Sequence, residues 1–221
     1  MSYHDIFTLI IYIIIILFAA AEGAFLNLCI ERLPKEQPLF CKNRNGNRKE
    51  NFSIRHIAVI ILNVLCHIFV AWQVNVMTNP ARFIFTALLF SALIIVFFTD
   101  LKYRLISNYV VIFIALLSIP NYIFCHGAMG TTLKSHIIGL FAVSLPLLLI
   151  ERLSKGKAMG RGDVYLMAAG GLFLGVQNIL VAFIIGLIGG LIAGIIVRCK
   201  TKSSVFPLGP WLSVGIAVSS L

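Results

Sequence analysis

Two aspartates stand at the ends of apolar runs, where carboxylates could carry out acid–base chemistry. Asp100 follows the apolar run at 94–99, and Asp163 opens another within 160–166. Ionisable groups beside hydrocarbon are costly and mark candidate functional sites. Two carboxylates within hydrogen-bond reach share one proton, so one can take a proton from water while the other protonates a departing amide. If the aspartates have no catalytic role, Asp163 would cap a helix and Asp100 would be a solvated charge beside Lys102.

Two glycines precede the second aspartate in the sequence GRGD at 160–163. Gly160 and Gly162 have no side chains, so a peptide backbone could approach the carboxylate closely and the loop could adopt positive φ. We therefore predict that they form a loop that positions a substrate. GxGD is a weak signal by itself, and a second aspartate at the same membrane edge strengthens it.

Composition places these residues in a membrane protein. Of the 221 residues, 60% are hydrophobic and 12% are charged, and the mean hydropathy is +0.99. Soluble domains are about half apolar and a quarter charged, so a water-soluble globular fold is excluded. We predict an all-α polytopic protein of about eight transmembrane helices, with seven as the alternative. The apolar runs lie at 6–30, 57–77, 83–99, 109–125, 136–150, 164–177, 179–197 and 208–221.

The distribution of Lys and Arg predicts the orientation of these spans. With the N-terminus outside, the loops on the inner side hold sixteen of the 18 Lys and Arg, as the positive-inside rule requires. These loops are 31–56, 100–108, 151–163 and 198–206. Both aspartates then lie at the cytoplasmic face of one membrane-embedded domain, 1–221, whose longest cytoplasmic loop is 31–56. Topology and contact with anionic lipid account for the formal charge of +10, and we expect no nucleic-acid partner.

Other polar residues are weaker candidates. Glu22 lies inside the first apolar run, and Asn27 and Asn108 stand near run ends; each could contact a substrate or serve a second activity. Their structural roles would be a helix-end carboxylate paired with Lys or Arg for Glu22, and packing for Asn27. Glu151 is expected to pair with Arg152 at the surface.

Small and polar residues also predict features of the helix packing. Glycines recur every four residues at 186, 190 and 194, which is typical of a face where helices pack closely. Gln177 and Asn178 predict a tight turn between the sixth and seventh runs.

The five cysteines form no CxxC pair and the five histidines show no ligand spacing, so no metal site is expected.

Four blocks of the chain, in order, resemble those of the type IV prepilin peptidases, a bacterial family of GxGD-type aspartic proteases. They are GAFLNLCIERLP at 23–34, DLKYRLISN at 100–108, GRGDVYLMAAG at 160–170 and PLGP at 207–210. The resemblance implies that Asp100 and Asp163 are the catalytic pair. It also implies removal of a short basic leader from prepilins or pseudopilins at the cytoplasmic face of the bacterial inner membrane, with no cofactor.

Two alternatives stay open. A GxGD protease of the signal-peptide-peptidase type would carry its aspartate deep in a span, whereas Asp100 stands at an edge. An ion-coupled transporter would be expected to have inverted repeats around acids at the membrane midplane.

The chain also departs from the family pattern. Ser107 and Tyr165 stand where the family has Pro and Lys. Many relatives carry two CxxC motifs in the first cytoplasmic loop, but here that loop holds only Cys41, so zinc is not expected. Many relatives also N-methylate the mature N-terminus with S-adenosylmethionine, and for this chain both the presence and the absence of that activity stay open.

Overall fold

The computed structural model describes residues 3–35, 37, 54–129, 132–156, 159–201 and 207–221. This part of the chain is helical and contains no strand. A short 3-10 turn, Leu33–Lys35, follows the first helix. The helices are α1 (Tyr3–Arg32), α2 (Ile54–Val74), α3 (Pro80–Tyr103), α4 (Asn108–Met129), α5 (Leu133–Ala142), α6 (Ser144–Leu153), α7 (Arg161–Leu174), α8 (Val176–Thr201) and α9 (Gly209–Ser219).

Six segments of the described chain are long and apolar enough to cross a bilayer. They are Ile6–Lys35, Ile54–Val74, Pro80–Tyr103, Asn108–Cys125, Leu133–Leu153 and Val176–Cys199. The prediction of an all-α polytopic membrane protein is therefore confirmed. Each of the eight apolar runs is helical, but α7 has 14 residues and α9 has 11, below the length that a span needs. The count of eight spans and the outside N-terminus stay predictions.

The boundary between the sixth and seventh runs differs from the prediction. Gln177 and Asn178 do not form the turn, because they lie in the first turn of α8. The chain breaks instead at Gly175, whose φ is +80° and whose backbone N–H donates to the Gly171 carbonyl at 2.9 Å. Glycine adopts this backbone conformation without the steric cost that a side chain would incur.

Several helix ends meet at one end of the bundle. The side-chain amide of Asn27 in α1 donates to the His56 carbonyl in α2 at 3.1 Å. Farther along the bundle, Ser91 of α3 donates to the Asn63 side chain of α2 at 3.2 Å, as expected if the two helices run antiparallel. The last turn of α1, the first turn of α2 and the last turn of α3 therefore share one end. In the predicted topology this end is cytoplasmic.

Glycines allow close contacts between the helices. A Cβ atom on Gly171 of α7 would lie 2.1 Å from the Gly139 carbonyl oxygen of α5. On α8, Gly186 faces Leu212, while Gly189 and Gly190 face Trp211 and Leu208. The predicted packing face of α8 is therefore confirmed at Gly186 and Gly190. This face contacts α9 and Leu208, the residue before α9.

Part of the predicted cytoplasmic loop 31–56 lies outside the described residues, namely 36 and 38–53, and Cys41 is among them. The described residues of that loop include the end of α1 and the start of α2. An ion pair between Glu31, at the end of α1, and Arg55, at the start of α2, links the two helices.

Candidate active site

Asp100 lies in the last turn of α3 and is 6% exposed. The helix ends three residues later because Arg104 adopts the left-handed conformation, with φ of +53°. The Arg104 backbone N–H donates to the Asp100 carbonyl at 2.9 Å, which satisfies one of the free carbonyls at the helix end. This cap places the Asp100 side chain at the edge of the bundle while keeping it buried.

Asp163 is the third residue of α7 and is 9% exposed. Its carboxylate interacts with the backbone N–H of Gly160, the residue that caps the helix. An acidic side chain at this position can reach back to the N-cap N–H, and the N-terminal end of the helix dipole favours its charge. The predicted capping role is therefore present, but it leaves the side chain buried rather than solvated.

The glycines of the GRGD segment do not adopt the predicted backbone conformation, while their role in positioning a substrate stays a prediction. Gly160 has φ of −79°, and Gly162 is not among the glycines with positive φ in the described chain, so the expectation of positive φ was wrong. Gly162 is needed for close packing instead, because a Cβ there would lie 2.9 Å from Cβ of Ile106. Gly160 is exposed, and a Cβ there would lie 3.5 Å from Oδ2 of Asp163, an ordinary contact distance.

The start of α9 brings a third element to Asp100. The backbone N–H of Gly209 interacts with the Asp100 carboxylate, and a Cβ on Gly209 would lie 2.7 Å from Oδ2 of Asp100. The same hypothetical Cβ would meet Cδ1 of Ile106 at 3.1 Å. Ile106 therefore packs against both Gly162 and Gly209, and it connects the surroundings of the two aspartates.

Sequence reasoning did not select Gly209 or Ile106 as site residues. Both lie within the short blocks that carry the family resemblance, PLGP and the segment after Asp100. Their position in these blocks is the sequence feature that could have marked both residues as part of the site.

The two carboxylates are close enough to affect each other electrostatically. Burial and, to a lesser extent, the charge of Asp100 together raise the pKa of Asp163 to about 6, whereas the Gly160 N–H opposes the shift. Asp163 lies outside the six candidate spans. Oδ2 of Asp100 is buried and has no hydrogen-bond partner among the described residues. A buried carboxylate oxygen without a partner can accept a hydrogen bond from a water molecule.

The weaker candidates do not join this pair. Glu22 contacts His67 at 3.0 Å and Asn63 at 3.5 Å, so its partner is a histidine rather than the expected Lys or Arg. Asn27 is buried and bonds to backbone carbonyls, including the one across to α2, which agrees with its packing role. Asn108 is exposed at the first position of α4.

Cysteine, histidine and acidic side chains do not converge on a common point in the described part of the chain, where no group of three could hold a metal ion. Cys29, Cys66, Cys125 and Cys199 are free thiols. Cys41 lies outside the described residues.

The fold and this site define a polytopic membrane protein with two buried carboxylates near one end of its helical bundle. Residues 87–195 match the model of the type IV leader peptidase family, and this segment contains both aspartates. This segment therefore belongs to the type IV leader peptidase family, which indicates that the protein is a peptidase. No match to the chain is found among curated proteins or among solved structures.

Proposed function

We propose that this protein is an aspartic endopeptidase that removes the leader peptide from type IV prepilins or pseudopilins, with Asp100 and Asp163 as its catalytic pair. The observation that carries the proposal is the burial of two interacting carboxylates within the segment that matches the peptidase family. Structural carboxylates at a membrane edge would be expected to pair with Lys or Arg. No such ion pair is found for either aspartate in the described chain.

The environments of the two carboxylates suggest different roles. Asp163, whose pKa is raised to about 6, retains a proton more readily than an ordinary aspartic acid and acts as the general acid. Asp100 has the unpartnered oxygen and acts as the base that takes a proton from water. The water oxygen attacks the scissile carbonyl, the C–N bond breaks, and the amide nitrogen leaves with the proton from Asp163. A second proton transfer restores the starting state of the pair.

The position of the site suits a substrate that is itself anchored in the membrane. A leader is cut just before the hydrophobic helix of the pilin, so the scissile bond lies at the membrane surface. Asp100 lies in the last turn of α3 and Asp163 in the first turn of α7, and helix termini at a membrane surface would reach such a bond. The loop charges favour the cytoplasmic face of the inner membrane.

The proposed cleavage needs no metal or organic cofactor, because the two carboxylates supply both the base and the acid. Methylation of the new N-terminus would need S-adenosylmethionine in addition. It is a separate proposal, based on the family resemblance alone, and the same experiment tests it.

The test is to incubate the purified protein in detergent with a full-length prepilin and to determine the N-terminal mass of the product. We expect a single cut directly before the hydrophobic helix, with no requirement for zinc. An added mass of one methyl group only in the presence of S-adenosylmethionine would establish the second activity. A cut inside the helix would support a different intramembrane protease, and no cut would contradict the proposal.

A further inference from the structure

Glu151 is a buried acidic residue that the proposed mechanism does not use. It lies in the last turn of α6, and its side chain is 6% exposed. Oε1 accepts a hydrogen bond from Nε of Arg161 at 3.0 Å. The expected surface pair with Arg152 is therefore wrong, since Glu151 is buried and its ion pair is with a residue inside the GRGD segment.

The backbone after α6 folds around this carboxylate. Lys155 and Gly156 have positive φ, of 52° and 75°, and the Gly156 N–H donates to the Glu151 carbonyl at 2.9 Å. A Cβ on Gly156 would lie 3.8 Å from Oε1 of Glu151. The turn thus closes over Glu151 on one side, and Arg161 approaches it from the start of α7.

The GRGD segment and the end of α6 border a common cavity. This cavity has a volume of about 470 Å³ and is lined by Glu151, Gly160 and Arg161 among others. Gly160 has no side chain that could fill it, and Gly162 packs in another direction, against Ile106. The ion pair between Glu151 and Arg161 is therefore a direct link across the cavity between α6 and the first turn of α7.

We propose that Glu151 is a positioning residue for the peptidase reaction: by holding Arg161, it fixes the first turn of α7 and thereby the Asp163 carboxylate. This inference rests on the proposed function. Arg161 is the first residue of α7 and Asp163 is the third, so a shift of the helix start moves the carboxylate directly. Displacements of about 1 Å in a catalytic group can lower a rate by about a hundredfold.

The negative charge of Glu151, rather than its volume, is what the link requires. Glu151→Gln keeps the size of the side chain and removes the charge, and Arg161→Gln removes the other half of the pair at an exposed position. We expect each variant to lower kcat for prepilin cleavage by about tenfold, with KM changed less than twofold, because the substrate-binding surface stays in place. The double variant should be no slower than either single variant, because both changes break the same contact.

A second readout does not depend on activity. Amide hydrogen exchange of residues 159–163, measured by mass spectrometry in detergent, should become faster in both variants than in the wild type. The matched control is Glu31→Gln, which breaks the ion pair with Arg55 at the same end of the bundle. This control should change neither kcat nor the exchange of 159–163.

The inference is overturned if Glu151→Gln leaves kcat at the wild-type level, or if the effects of the two single variants multiply in the double variant. It is also overturned if exchange of 159–163 is unchanged in both. A wild-type protein that cleaves no prepilin contradicts the proposed function instead, and the exchange measurement then still decides whether the link exists.

Discussion

At the scale of single residues, Asp163 is held in surroundings that oppose its negative charge. Burial, followed by the charge of Asp100, raises the pKa of Asp163 to about 6 in the folded protein, against about 3.9 for an exposed aspartate. Its folded-state pKa is higher than its unfolded one, so its contribution to stability is complete below about pH 4 and is lost as pH rises to about 6. Above about pH 6, this difference in pKa lowers the stability of the folded protein by about 3 kcal/mol.

Asp163→Asn should therefore make the protein more stable at neutral pH while abolishing cleavage. Thermal unfolding in detergent should show a higher Tm than the wild type at pH 7.5 and an equal Tm below pH 4. Glu31→Gln serves as the control, because Glu31 is a partly exposed carboxylate in an ion pair with Arg55 and should gain no stability. A lower Tm for Asp163→Asn at pH 7.5 would contradict this account of the site.

Gly209 is the residue whose lack of a side chain the site needs most directly. In Gly209→Ala the new Cβ would lie 2.7 Å from Oδ2 and 3.0 Å from Cγ of Asp100, so the carboxylate must move. We expect cleavage to fall by at least about tenfold, since small displacements of catalytic groups are costly. Gly190→Ala is the control, because its closest neighbour is Cδ1 at the flexible end of Leu208, at 2.7 Å, and Trp211 lies at an ordinary contact distance of 3.7 Å. Equal cleavage rates for the two variants would show that Asp100 tolerates the displacement.

Residue types and positions predict the two aspartates as candidates but not their surroundings. A carboxylate that ends or begins an apolar run is conspicuous in a chain with only eight acidic residues. The contact of Gly209 with Asp100 and the pairing of Glu151 with Arg161 depend on which helix ends meet in three dimensions. Hydropathy carries no information on that arrangement, so the sequence predicts only a pair between Glu151 and its neighbour Arg152.

At the scale of helices, α7 depends on a close approach to α5. The Cβ of Gly171→Ala would lie 2.1 Å from the carbonyl oxygen of Gly139 and 2.6 Å from its carbonyl carbon. Backbone atoms cannot move aside without separating the helices, so we expect a loss of about 1–3 kcal/mol in stability. Because α7 carries Asp163, cleavage should also slow.

The neighbouring glycine provides the comparison for this variant. A Cβ on Gly170 would meet the end of the Ile216 side chain at 2.9 Å, and a change of rotamer can relieve that contact. Gly170→Ala should therefore unfold at a temperature closer to that of the wild type than Gly171→Ala does. The reverse order of Tm values would contradict the packing described for α5 and α7.

Hydropathy predicts which segments are helical but not how each helix ends. All eight apolar runs form helices, because backbone groups in hydrocarbon must be hydrogen-bonded within the chain. The fifth run is divided at Val143 between α5 and α6, and Pro146, which lacks a backbone N–H, stands in the first turn of α6. The break before α8 falls on Gly175 rather than on the polar pair 177–178, since positive φ rather than polarity decides where the chain turns.

At the scale of the whole molecule, the aspartates lie at the end of the bundle that carries most of the positive charge. Arg104, Lys155 and Arg161 are exposed around them. The positive-inside rule therefore predicts that this end faces the cytoplasm. In a variant without native cysteines, Lys155→Cys should react with a membrane-impermeant maleimide only after permeabilisation. Asn79→Cys, at the start of α3, should react in intact spheroplasts, and the opposite pattern would invert the topology.

Single and double substitutions of Asp100 and Asp163 test whether the two residues act as one catalytic unit. Cleavage of a prepilin should be followed for the wild type, Asp100→Asn, Asp163→Asn and the double variant, after each is shown to be membrane-inserted and folded by its thermal unfolding. We expect each single variant to lose at least about a thousandfold in kcat, and the double variant to be no worse, because residues that act as a unit are not additive. Wild-type cleavage by either folded single variant would contradict the paired mechanism and return that aspartate to a structural role.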